Sequence, residues 1–223
     1  MNSIRGFLGR SPARARFLPF FIFLIGTSLQ GKFGPDSHFW VYSIKTLLGV
    51  FLVWAMWPIV TEMRFAFSWE AVAVGVGVFV MWVGIDPFYP KWGKEEIVWN
   101  AFGHFGESSP LAWFFVVWRT LGSGLVVPPL EEVFYRSFIY RYIVNPDIEK
   151  VPLGKYDARA FWLTVIIFAA AHPAQWLAAI LCGIAYGWLV IYKKRLGDAM
   201  TAHAITNIML GIYVAWKGAW QFW

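Results

Sequence analysis

The sequence predicts an all-α, polytopic membrane helix bundle of about seven to eight transmembrane helices, and three observations carry that reading. Of the 223 residues, 59% are hydrophobic, 20% aromatic and only 14% charged, too little polar surface to cover a soluble globule of this size. Apolar runs recur along the whole chain rather than once near its start. None of them alternates apolar and polar residues like a membrane barrel strand, so each must satisfy its own backbone as a helix.

In chain order, the first candidate span, Phe17–Leu29, is short and flanked by arginines. The following "GTSLQGK" lacks a small-x-small cleavage site, so the run reads as an anchor rather than a signal peptide. Phe39–Val60 and Trp69–Ile85 come next and approach the ~20 residues needed to cross. Leu111–Tyr140 is longer and contains Pro128-Pro129, and we read it as one long, broken helix. Ala160–Ala171 is too short alone and needs its flanks or a tilt. Trp176–Tyr192 carries the small-xxx-small pair Gly183 and Gly187, a signature of close helix approach, and Ala199–Trp216 completes the set. Tryptophans near many span ends, such as Trp57, Trp69 and Trp176, fit an interfacial belt.

Charge sets the expected orientation. With seven crossings and a cytoplasmic N-terminus, twelve of the nineteen Lys and Arg fall inside and only Lys32, Lys91, Lys94 and Lys217 outside. Lys45, Arg119 and Arg136 lie within spans. Splitting Leu111–Tyr140 into two crossings would nearly erase the bias, which favours the single broken helix. The expectation is a multi-pass protein of a bacterial cytoplasmic membrane, with residues 1–223 forming one integral membrane domain. The net charge of +6 does not indicate nucleic acid, because the cations cluster at the edges of apolar runs rather than in a basic stripe. Cys182 is the only cysteine, which excludes an internal disulfide, a CxxC pair and a cysteine-rich metal site.

The stretch "VPPLEEVFYRSF" then places Glu131, Glu132 and Arg136 in an apolar setting, where a charge costs at least ~2.5–3.5 kcal/mol at the bilayer centre. Glu132 and Arg136 are four apart with the acid first, the favourable order for an ion pair, so that pair can neutralise itself. Glu131 is turned away by ~100° and is left free, suited to taking a proton from water. Two further clusters follow: His172 in "FAAAHPAQW", before Pro173, and His203 with Asn207 on one helix face in "TAHAITNI". Together they suggest a converging polar site. Glu131 and His172 would hold and activate a water, and His203 and Asn207 would offer donors to the oxyanion of an attacked carbonyl. Counting along the helices puts His203 near the cytoplasmic side and His172 near the far side, so a common site requires tilted or broken helices or a deep cavity.

The three motifs, "EEVFYR" as EExxxR, "FAAAH" as FxxxH and "HAITN" as HxxxN, in that order, resemble the signature of the CPBP family. That family comprises type II CAAX prenyl proteases, Ras-converting endopeptidases and bacteriocin-processing or immunity relatives. The resemblance covers about residues 110–210, the expected catalytic core, and every motif position is filled. It implies an intramembrane endopeptidase with Glu131 as general base, Glu132 and Arg136 as support, and His172, His203 and Asn207 completing the site. The expected partners are the lipid bilayer and a membrane-embedded or lipidated peptide or protein substrate. There is no HExxH helix and Asn207 is a poor zinc ligand, so a metal-free, glutamate-activated water is preferred. The cofactor alternative is one Zn²⁺ held by Glu131, His172 and His203. The functional alternatives are a non-enzymatic, bacteriocin-immunity-type membrane protein and a small proton-coupled transporter, although no inverted repeat is evident.

Overall fold

The computed structural model describes residues 2–92 and 99–223, and among them every regular element is helical. Lys94, counted above among the outside charges, lies outside the described residues. The helices are α1 (Asn2–Gly9), α2 (Pro12–Ser28), α3 (Ser37–Met56), α4 (Trp69–Ile85), α5 (Ala101–Phe105), α6 (Pro110–Leu125), α7 (Val127–Glu132), α8 (Tyr140–Val144), α9 (Ala158–Ala170), α10 (Trp176–Lys193) and α11 (Gly197–Lys217). Their starts follow local chemistry. Ser68 accepts a hydrogen bond from Ala71 N–H, and Asp157 one from Ala160 N–H, each satisfying an orphan donor of the first turn. Helix α2 begins at Pro12, five residues before the expected Phe17, and so takes Arg14 and Arg16 into the helix.

Among the described residues, five helical segments are long and apolar enough to cross a membrane: Ser37–Met56, Trp69–Phe88, Pro110–Val144, Pro173–Lys193 and Gly197–Lys217. The expected count of seven to eight asks α2 and α9 to cross as well; at 17 residues α2 stands at the lower limit of the roughly 17–25 that span a bilayer, and at 13 α9 is below it. The 35-residue segment Pro110–Val144 is a single helical segment broken at Val126, in keeping with the expected long, broken helix. Exposure is inverted relative to a soluble protein. Leu47, Trp54, Phe114, Leu121 and Ile166 point outwards, while Arg16, Lys45, Glu132, Arg136 and Asp198 are buried. This is the surface of an integral membrane protein.

Helix α11 is central, packed against α4, α6, α7 and α10. It meets α4 at Gly75, where an added Cβ would lie 2.7 Å from the Ala202 carbonyl. Only glycine lets the two backbones approach so closely, and Thr206 Oγ1 uses that approach to bond the Gly75 carbonyl at 2.8 Å. Gly183 and Gly187 of α10 face α9, and there they accommodate the Val165 and Phe161 side chains rather than a bare backbone.

A charged cluster ties the N-terminal helices to this frame. Glu62, between α3 and α4, accepts two bonds from Arg16, Nε at 2.7 Å and Nη2 at 2.9 Å, and a third from the Ser137 hydroxyl. Arg141 Nη1 lies 3.4 Å from the same carboxylate. Burial alone would raise the Glu62 pKa, but the Arg16 hydrogen bond and charge, together with Ser137, outweigh it and hold the group below its ordinary 4.5. A carboxylate lowered in the folded state adds stability above its unfolded pKa, and that stability is lost as pH falls through the folded value. We therefore expect the thermal midpoint in detergent to decline below about pH 4.5. Glu62→Gln should lower the midpoint at pH 7 and flatten the acid limb, and an unchanged acid limb in that variant would refute the assignment.

Candidate active site

The site begins at a fault in the long helix. Proline has no N–H and clashes with the preceding turn, so α6 ends at Leu125 and α7 restarts with Pro128 and Pro129 in its first turn, where no intrahelical donor is needed. From Val133 to Ile139 the chain then widens into a π-helical stretch, closed by Tyr140 N–H on the Tyr135 carbonyl. Glu131 and Glu132 sit between these two irregularities.

Glu132 is fully buried. Its Oε1 accepts from Arg136 Nη1 at 3.1 Å, as the spacing predicted, and also from His203 Nδ1 at 2.9 Å, which the sequence did not reveal. The self-neutralising pair is thus a triad joining α7, the π-helical stretch and α11. Phe168 covers the Arg136 guanidinium with its ring centroid 4.7 Å away, and Tyr186 packs on the His203 imidazole at 5.3 Å between ring centroids. Tyr186 in turn donates to Thr206 Oγ1 at 2.7 Å. With Nδ1 donating to the carboxylate, His203 turns Nε2 to its other side, as a lone pair in the neutral ring and as a donor in the imidazolium.

Glu131, His172, His203 and Asn207 line one cavity of about 230 Å³. His172 Nδ1 donates to the Phe168 carbonyl at 2.9 Å, which fixes the ring and leaves Nε2 as acceptor in the neutral form. Asn207 Nδ2 donates to the Ser123 carbonyl at 2.9 Å with one of its two amide hydrogens. Glu131 is half-buried, and no described group hydrogen-bonds it. The difference in depth expected from counting is narrowed by the brevity of α9, and the cavity reaches both histidines. Thirteen residues rise only ~20 Å, so His172 sits where the chain turns back through Pro173–Gln175, and His203 lies ~9 Å into α11.

Two charged cavity-lining residues were not named as site residues from the sequence: Lys45 of α3 and Arg119 of α6. Both are charges inside spans, a signal that by itself marks functional positions.

The three zinc donors of the alternative reading share the cavity, yet among the described residues no three His, Cys, Asp or Glu side chains are gathered closely enough to hold a metal ion. As placed, the donor set does not fit a three-ligand zinc centre. What the arrangement offers is a free carboxylate, two oriented imidazoles and an amide donor around one cavity.

Residues 112–209 match the family model described as Rce1-like, type II CAAX prenyl endopeptidase Rce1-like. The matched segment contains all three motifs and agrees with the resemblance drawn from them. It implies CAAX-type intramembrane protease activity in general and does not favour the immunity-type or transporter readings. No curated protein and no solved structure is significantly similar to the chain.

Proposed function

We propose, with the Rce1-like match as premise, that the chain is an intramembrane endopeptidase in which Glu131 activates a water without a metal. The observation that carries this reading is the convergence of Glu131, His172, His203 and Asn207 on one cavity. Glu131 takes a proton from the water while His172 Nε2 accepts its second hydrogen bond and holds it in place. The water oxygen attacks the peptide carbonyl carbon. The resulting oxyanion receives the free Asn207 amide N–H and, from the imidazolium form, His203 Nε2–H. Glu131 then passes its proton to the leaving amine as the C–N bond breaks. Residues 110–210 form the catalytic core, and the substrate is a membrane-embedded or lipidated peptide or protein entering from the bilayer. The charge bias supports a cytoplasmic N-terminus, and the proposed location is a bacterial cytoplasmic membrane.

Comparative proteomics of membrane fractions tests the function directly. Cells carrying the parent should contain new protein termini that disappear with Glu131→Ala, and identical termini in both would overturn the peptidase reading. Asn207→Ala should lower kcat by about 10²–10³ through loss of an oxyanion donor. Asn207→Asp, similar in shape but without the donor, should lower it comparably, and normal kcat in either variant would remove Asn207 from the mechanism. Exhaustive chelation should leave turnover intact. Stoichiometric zinc in purified protein, with activity lost on chelation and restored by zinc, would replace the metal-free step and leave the peptidase reading standing.

A further inference from the structure

The mechanism above leaves two cavity charges unused. Lys45 and Arg119 both line the cavity, and both lie against the same ring: Lys45 Nζ is 4.6 Å and Arg119 Cζ 5.0 Å from the Tyr42 centroid. Among the described residues neither forms an ion pair. Lys45 spends one ammonium hydrogen on Thr27 Oγ1 at 3.2 Å, and the Arg119 guanidinium hydrogen-bonds no described group. Two basic groups on one ring, inside a membrane span, face a single unpaired carboxylate in the cavity, Glu131, and leave room for a second anion.

The geometry narrows the kind of anion. Trp99, at 4.5 Å, and Trp223, at 5.2 Å, join Tyr42 against the Arg119 guanidinium. Its N–H groups hydrogen-bond no described group and remain for an acceptor in the cavity, and a planar, two-oxygen carboxylate matches the guanidinium fork. Arg119 stands one helical turn before Ser123, whose carbonyl holds Asn207. One turn is ~6 Å along the axis. An extended peptide covers that in about two residues at ~3.3 Å each.

We propose that Arg119 and Lys45 form an anion subsite that takes a carboxylate of the substrate about two residues from the scissile carbonyl. The proposal rests on the peptidase reading for its substrate, and its test is separable from that reading. Two sources share the chemistry, a chain-terminal α-carboxylate and the side chain of an Asp or Glu. Arg119 supplies the bidentate contact and Lys45 a second positive charge on the side of Glu131. These are specificity residues, placed beside the reacting groups rather than among them.

The test is binding to full-length Glu131→Gln protein in nanodiscs of a hexapeptide carrying an N-terminal palmitoyl chain, prepared as the free acid, as the C-terminal amide, and as an amide with Asp third from the end. The free acid should bind at least ~10-fold more tightly than the plain amide. Arg119→Gln should bring the acid to the level of the amide, and Arg119→Lys, which keeps the charge and loses the fork, should retain part of the difference. Binding of the Asp amide like the free acid supports the subsite with a side-chain carboxylate, and binding like the plain amide supports it with the α-carboxylate. Equal affinity of acid and amide in the parent background, including no measurable binding of either, overturns the proposal, as does an equal loss for both in Arg119→Gln. Turnover by the Glu131-containing enzyme is read separately. Acid-dependent binding without turnover leaves the subsite and refutes the peptidase, whereas equal turnover of acid and amide does the reverse.

Discussion

Glu131→Gln is expected to reduce kcat by about 10²–10⁴-fold, the range a positioned general base contributes, while the protein remains folded. The two halves of that expectation have separate physical origins. Glutamine has the shape of glutamate and can still hydrogen-bond a water, but it cannot take the proton, so what disappears is the basicity alone. Stability should be nearly untouched, because Glu131 is half-buried and no described group hydrogen-bonds it. A surface-like substitution of that kind usually stays within about 0.5 kcal/mol. Single-turnover measurements in nanodiscs, beside a thermal-unfolding curve for the same preparation, check both halves. Near-parental turnover would remove Glu131 as the base. A large loss of stability would mean that its role is structural and that the cavity has been misread.

His203→Ala tests a second role that the sequence did not assign to this residue. His203 was expected to face only the oxyanion, yet its Nδ1 is one of two partners of the buried Glu132 carboxylate. Its loss should therefore impair both turnover and stability, where Glu131→Gln impairs turnover alone.

The helical class and its main segments were legible because lipid forces apolar runs into helices, and composition alone identifies the runs. The expected Trp176–Tyr192 and the observed α10, Trp176–Lys193, differ by one residue. The ends were less legible where no apolar boundary marks them. Helix α2 starts at Pro12 because Ser11 and a first-turn proline begin it, and its Arg16 is stabilised by Glu62, a partner 46 residues away. Short helices such as α1 and α5 carry too few residues for a periodic signal. In the site, spacing revealed the Glu132–Arg136 pair because a helix makes that contact locally. It could not reveal the His203–Glu132 bond, which crosses 71 residues and depends on how α11 docks on α7. The same holds for Lys45 and Arg119, which reach one ring from two helices.

Glu132→Leu should be the most destabilising single change in the motif, at about 3–5 kcal/mol, because it leaves the Arg136 charge buried without its carboxylate. Removing both charges should behave differently. Replacing a buried pair by apolar residues of similar volume is often neutral or stabilising, so Glu132→Leu combined with Arg136→Met should recover most of the lost stability. Activity should not recover with it. Without a carboxylate at Glu132, nothing described holds His203 Nδ1 as a donor, and the imidazole loses its orientation. If the pair were only a structural brace, the double variant would regain turnover along with its melting temperature. The two readings therefore part on one protein and two measurements. A folded, thermally stable double variant with turnover still reduced by about 10²-fold or more assigns Glu132 to positioning His203, since the oxyanion donor it sustains contributes on that scale. Recovery of both properties would return Glu132 to the purely electrostatic role that its spacing from Arg136 first suggested.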